Sequence, residues 1–205
     1  VIGAPGNDGY AAIYEQIGDG SYVFDSYLMP PSDLDDSNAR FGAAVAIDNT
    51  TAVVGAPWPE AGSEDHGGVV VFEQNRDTSW SVAARLDDDL TGSNSRFGES
   101  LDIHDDLIIV GIPGDNPAGN GSGSAKIFRY APTSDFWSLE HNLFGLDVQA
   151  GDRYADDVAV GPHGVGVGVL RYNTPYGINT GAAFTYRQMS WDDDNWQHDM
   201  RQIQP

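Results

Sequence analysis

The chain contains no cysteine, which excludes a disulfide framework and any thiolate metal site. Basic residues are scarce: Lys+Arg number 10 against Asp+Glu 31, for a net charge of -21, and Lys126 is the single lysine. That imbalance repels phosphate backbones and anionic lipid, so nucleic acid and membrane surfaces are not expected as partners. No stretch approaches the roughly 18 apolar residues of a membrane helix, so membrane insertion is not expected either. No segment holds a helical period over about 11 residues. No signal peptide is visible, and Val1 already lies inside a repeat, so the chain reads as a mature or excised piece. Of the acids, 25 are aspartate. They fit either a solvated surface tuned for solubility or a surface for divalent cations, which prefer carboxylate and carbonyl oxygen.

What is present is a repeat. An apolar strand runs into Gly-apolar-Pro or its remnant four times: VIGAP at 1–5, VVGAP at 53–57, IVGIP at 109–113 and VGVL at 167–170. The recurring glycines, Gly3, Gly55, Gly111 and Gly168, are spaced by 52, 56 and 57 residues. A fixed period of roughly 40–60 residues filled with short β-type runs marks a radial or stacked array. Such an array carries its function on loops.

Aligned, the units show four strand positions. Strand A follows an aromatic-small pair, Phe41-Gly42, Phe97-Gly98 and Tyr154-Ala155. Strand B is the run already described. Strand C starts after a glycine and ends on an aromatic: Gly9 to Tyr14, Gly67 to Phe72, Gly123 to Phe128, Gly181 to Tyr186. Strand D opens on Tyr22, Trp80, Trp137 and Trp196. The runs are rich in Val, Ile, Ala and aromatics and bounded by Gly, Asp, Asn or Pro. Short A–B links suit tight hairpins. The recurrent aromatics and glycines are read as packing between units.

The pattern Phe-Gly-x-x-Val-Ala-Ile, then Val-Val-Gly-Ala-Pro, then Gly-x-Val-x-Val-Phe, then Trp resembles the FG-GAP repeat, best at residues 41–47, 53–57, 67–72 and 80. The resemblance spans nearly the whole chain. It implies an all-β fold of four-stranded antiparallel β-propeller blades, as in integrin α subunits and many secreted or surface proteins. Residues 1–205 then form one array, with blades at 37–92, 93–150 and 151–205 and a partial blade at 1–36 that lacks its first strand. The family's calcium-binding blades carry an Asp-x-Asp-x-Asp-Gly-like A–B loop. None of the A–B links here has it, so no cofactor is expected and calcium stays open only as a weakly supported metal. Family propellers commonly close with about seven blades. Four units leave several completions open: a fragment of a longer propeller, two chains forming one ring, a fibre, or a compact four-bladed closure.

Catalytic motifs are absent. The histidines at 66, 104, 141, 163 and 198 fall without an i, i+4 pair, and there is no Gly-x-Ser-x-Gly elbow or Gly-x-x-x-x-Gly-Lys loop. The chain is therefore expected not to be an enzyme. In a four-stranded blade the B–C loops and D–A connections open on one face. Candidate contacts there are the loop aromatics Trp58, Tyr172 and Tyr176, and the arginines before each strand-A aromatic, Arg40, Arg96 and Arg153. Arginine and aromatics beside Gly/Asn loops suit protein or sugar recognition, while ion pairs at blade junctions are the other reading of the arginines. Asn49 and Asn120 head Asn-x-Ser/Thr sequons in expected turns or loops and are the glycosylation candidates. Three functions follow. One is an extracellular or cell-surface recognition module for a protein or carbohydrate ligand. Another is a structural subunit that self-associates through open blade edges. The last is an accessory module of a larger secreted enzyme.

Overall fold

The computed structural model describes residues 1–6, 9–32, 40–57, 67–87, 94–173, 177–190 and 193–199. Every described element is a strand. The first sheet holds β1 (Ile2–Ala4), β2 (Tyr10–Gln16) and β3 (Tyr22–Leu28). The second holds β4 (Val45–Asp48), β5 (Thr51–Ala56), β6 (Gly68–Gln74) and β7 (Trp80–Leu86). The third holds β8 (Ser100–His104), β9 (Leu107–Ile112), β10 (Ser124–Ala131) and β11 (Phe136–Leu143), and the fourth β12 (Tyr154–Gly161), β13 (Gly164–Val169), β14 (Ala182–Ser190) and β15 (Asp193–Asp199). Each sheet is an antiparallel meander in sequence order, one of three strands and three of four.

The local sequence explains these elements. Two-residue hairpins join A to B, closed by Asp48↔Thr51, His104↔Leu107 and Gly161↔Gly164. Asn49 (φ 51) and Asp105 (φ 51) supply the left-handed first residue that such a turn needs. In the first three sheets a bulge falls just before the strand-C aromatic, at Ile13/Tyr14, Val71/Phe72 and Ile127/Phe128. Strand D opens at the expected residue in the first two sheets, one residue early, at Phe136, in the third, and three early in the fourth. There β14 runs on to Ser190 and pairs with Asp193, so β15 begins before Trp196.

The core lies between sheets. Ala11, Ile13 and Leu28 of the first sheet pack on Ala52, Val54, Val70 and Phe72 of the second. The second sheet's other face (Val53, Val69, Val71, Leu86) packs on Ile108, Val110, Ile112 and Phe128 of the third. The third repeats the pattern with Ile109, Ala125, Ile127 and Leu143 against Val165, Val167, Phe184 and Tyr186. The second and third sheets therefore bury alternate residues in opposite directions, which is why β5, β6 and β9 read as unbroken apolar runs.

The repeated glycines set how closely the sheets approach. A Cβ at Gly3, Gly55 or Gly111 would collide with the carbonyl oxygen of Gly42, Gly98 or Ala155 in the next sheet. A Cβ at Gly9, Gly67 or Gly123 would collide with the carbonyl of Phe41, Phe97 or Tyr154, again one sheet on. The Gly of Gly-Ala-Pro thus meets the small residue of the next aromatic-small pair. In the fourth sheet these contacts have no counterpart: a Cβ at Gly168 would stand 3.4 Å from its own sheet's Asp157 oxygen.

Gly55→Ala is expected to destabilise the fold by about 1–3 kcal/mol through forced overpacking. Gly166→Ala, whose Cβ would meet nothing within 4 Å, should stay within about 0.5 kcal/mol of the parent chain. Urea midpoints at constant m-value check both, and equal losses would refute the close-approach explanation.

Candidate functional site

Because each sheet is an A-B-C-D meander, the B–C and D–A links gather at one end and the A–B and C–D hairpins at the other. At the first end a cavity of about 360 Å³ opens across the second, third and fourth sheets. The third sheet's B–C link contributes Pro113, Gly114, Asn116, Asn120 and Gly121. The D–A links contribute Asn94, Arg96, Gly151 and Arg153, while Pro57 and Arg171 close the rim from strand-B ends.

The arginines reach this position through an unusual backbone. Arg40 (φ 54), Arg96 (φ 62) and Arg153 (φ 58) are all left-handed, each directly before a strand-A aromatic. Phe41, Phe97 and Tyr154 are at most 1% exposed, so the backbone reversal sinks the aromatic while lifting the arginine toward solvent. A non-glycine residue in this region costs about 1–2 kcal/mol, and its recurrence at one repeat position goes with burial of the aromatic that follows. The turn closes through the Ala43 N–H to Arg40 O at 3.0 Å and the Glu99 N–H to Arg96 O at 3.1 Å. At Arg153 the neighbouring link holds the backbone. The Gly151, Arg153 and Tyr154 N–H groups donate to the carbonyls of Asn120, Gly121 and Ser122 at 2.9, 3.1 and 2.8 Å. That link is itself braced, since Asn116 Oδ1 accepts the Gly121 N–H at 2.8 Å and Asp115 Oδ2 the Ser124 hydroxyl at 2.5 Å.

Ion pairs accompany Arg96 and Arg153. Arg153 Nη2 lies 2.5 Å from Asp156 Oδ1 and Arg96 Nη1 lies 4.0 Å from Glu99 Oε1, each three residues along. The junction ion pairs expected of the arginines are thus present, and the same two side chains line the cavity. Arg40 is exposed but does not line it.

The aromatic candidates fare differently. Tyr172, expected as an exposed contact, is only 8% exposed and stacks edge-on against Phe184 at 5.5 Å. Its carbonyl accepts the Thr180 N–H at 3.0 Å, making it the packed anchor of the fourth B–C link. Trp58 and Tyr176 lie outside the described residues. Of the sequon asparagines, Asn120 lines the cavity, whereas Asn49 is exposed on an A–B hairpin at the opposite end. Arg171, Asn94 and Asn116 were not singled out from the sequence. Their positions in B–C and D–A links were the available signal.

The opposite end holds a second cavity of about 550 Å³ bordered by His104, Asp105, Asp106, Pro162, His163, Arg187, Gln188 and Trp196. Beside it, Arg129 is bound by Glu140, by Asp106 at 2.7 Å and by Gln188 at 3.0 Å, and Trp196 Nε1 donates to Glu140 at 2.8 Å. Glu140 is the extra residue at the third sheet's bulge, where it stitches third to fourth sheet. Among the described residues, no group of three or more His, Asp or Glu side chains is placed to hold a metal ion.

Sheets of this topology, packed face to face through glycine contacts, are β-propeller blades. The family model for the FG-GAP repeat matches residues 31–72 and 80–128, and these stretches are FG-GAP repeats, the second spanning the junction from the second sheet into the third. No curated protein matches the chain.

Under the site, the Tyr154 hydroxyl donates to Tyr186 Oη at 2.7 Å, and Tyr186 donates to the Phe144 carbonyl at 3.3 Å. Burial pushes both phenols above the ordinary value, Tyr154 the further. Above pH ~10 the unfolded chain therefore loses protons that the folded chain retains, so stability is full below that pH and falls as pH rises. Tyr154→Phe should cost about 1 kcal/mol at neutral pH, yet make the alkaline fall shallower. Denaturant titrations at neutral pH and at pH ~11 check this, and a parallel fall in both chains would contradict it.

Proposed function

We propose that this chain is a non-catalytic recognition module of the extracellular or cell-surface setting, binding a protein or carbohydrate ligand through its B–C and D–A links. The carrying observation is the 360 Å³ cavity at that end, built from links of three successive blades and braced by hydrogen bonds across them. Recognition surfaces favour loops on a rigid scaffold, and this one meets that description. FG-GAP repeats are typical of extracellular and cell-surface proteins, which supports the setting, as do the two sequons.

Asn120→Trp fills the cavity rim, and Asn120→Gln removes the sequon without closing it. In a glycan-array and surface-protein binding screen, the Trp variant should lose binding at least about ten-fold while the Gln variant and Phe136→Ser, at the far end, retain it. Retained binding in Asn120→Trp would move recognition off this face.

A second reading, assembly between chains, rests on the first blade. Its Tyr14, Phe24 and Tyr27 are 39, 47 and 58% exposed. Phe72, Phe128 and Tyr186, at the position of Tyr14 in the other blades, are 4, 5 and 6% exposed because the preceding blade covers them. The fourth blade's outward face offers small residues instead, Gly166, Gly168, Ala183 and Thr185. A second copy joined head to tail would seat the aromatics in that hollow, and repeated joining would close a ring or extend a fibre. Sedimentation should show concentration-dependent oligomers that Tyr14→Ser with Tyr27→Ser abolishes, whereas a clean monomer at high concentration rules the assembly out.

A further inference from the structure

We propose that the cavity at the B–C and D–A end binds an acidic saccharide, one carrying carboxylate or sulfate groups. This rests on the recognition reading above and names its ligand chemistry. The chain carries 31 acids against 10 basic residues, so a random patch of its surface is anionic. The described lining of this cavity departs from that. Arg96, Arg153 and Arg171 line it from three different links, and no Asp or Glu stands among the described lining residues. Glu99 and Asp156, the ion-pair partners of Arg96 and Arg153, are not among the described lining residues. A guanidinium has five N–H donors in a planar fork and pairs with planar anions in two-point geometry.

The remaining lining decides between a sugar and a peptide. Asn94, Asn116 and Asn120 add amides that both donate and accept, matching vicinal hydroxyl groups. The apolar part consists of proline rings and glycine backbone. Protein partners draw most of their affinity from buried aromatic and aliphatic anchors, and no described lining residue here offers a pocket for one. The left-handed backbone at Arg96 and Arg153, held by the cross-link hydrogen bonds, fixes two of the cations before the ligand arrives, which lowers the ordering cost of binding.

Isothermal titration of the intact chain with four probes tests this: a galacturonate tetrasaccharide, its neutral methyl ester, a sulfated tetrasaccharide of similar length, and a hexa-aspartate peptide. One or both acidic sugars should bind, and the comparison between them identifies carboxylate or sulfate as the group recognised. The ester should bind about ten-fold more weakly or not at all, and raising salt to about 0.5 M should weaken the acidic sugar's binding. Arg171→Gln should cost about ten-fold with an unchanged thermal midpoint, while Arg187→Gln at the opposite end changes nothing. The ester and salt comparisons use the parent chain, so they decide the matter even if a variant misfolds. Equal binding of acid and ester, tighter binding of the aspartate peptide, or no binding of either acidic sugar at millimolar concentration overturns the proposal. Should the acidic sugars fail while Asn120→Trp still abolishes binding of another ligand, the recognition face stands and the charge inference alone falls.

Discussion

Everything in this fold depends on how closely one sheet can approach the next, and two glycines per repeat set that distance. Backbone carbonyls of one blade occupy the space where a Cβ of the preceding blade would lie, at Gly55 beneath Gly98 and at Gly123 beneath Tyr154. Once backbones meet this closely, the alternating Val, Ile and Leu faces interlock, with Val53, Val69 and Val71 seated against Ile108, Val110 and Ile112. Register between blades is therefore set by backbone contact and stabilised by apolar burial. Polar contacts then repeat the same offset at the hairpin end, where Asp48 accepts the Asp105 N–H and Asp102 the Val160 N–H at 2.8 Å.

The same constraint builds the site. Holding blades at a fixed offset brings links from 94–96, 113–121, 151–153 and 171 around one cavity, though no two of these segments belong to the same connection. The strained arginine turns sit at the seam because the aromatic that follows must sink into the junction. A buried Phe or Tyr and a raised Arg are two consequences of one backbone reversal. Against a net charge of -21, three arginines and no acid among its described lining residues distinguish this cavity from the chain as a whole.

Much of this was legible in the residues. Strand positions, the antiparallel four-strand unit and the missing first strand of the first blade follow from period, glycine and aromatic spacing, because those features are local. The face carrying the links also follows, since strand alternation alone decides it. What a single sequence hides is partnership across blades. Tyr172 looks like any loop aromatic until Phe184 is seen against it, and Arg171 looks like a strand end until the fold turns it to the cavity rim. The early start of β15 comes from hairpin closure between Ser190 and Asp193, a pairing that the Trp196 position does not reveal. Glycine spacing shows that units pack closely, but not that the opponents are the carbonyls of the next aromatic-small pair, because those lie in the next blade along the chain.

The central claim is that blade registration gathers separate links into one cationic ligand site. Amide chemical shifts mapped during titration with an acidic oligosaccharide test it most directly. The account predicts shifts concentrated in 94–96, 113–121, 151–153 and 171, moving together along one binding curve. Shifts centred instead on the opposite hairpins, at 104–106 and 161–164, would contradict it.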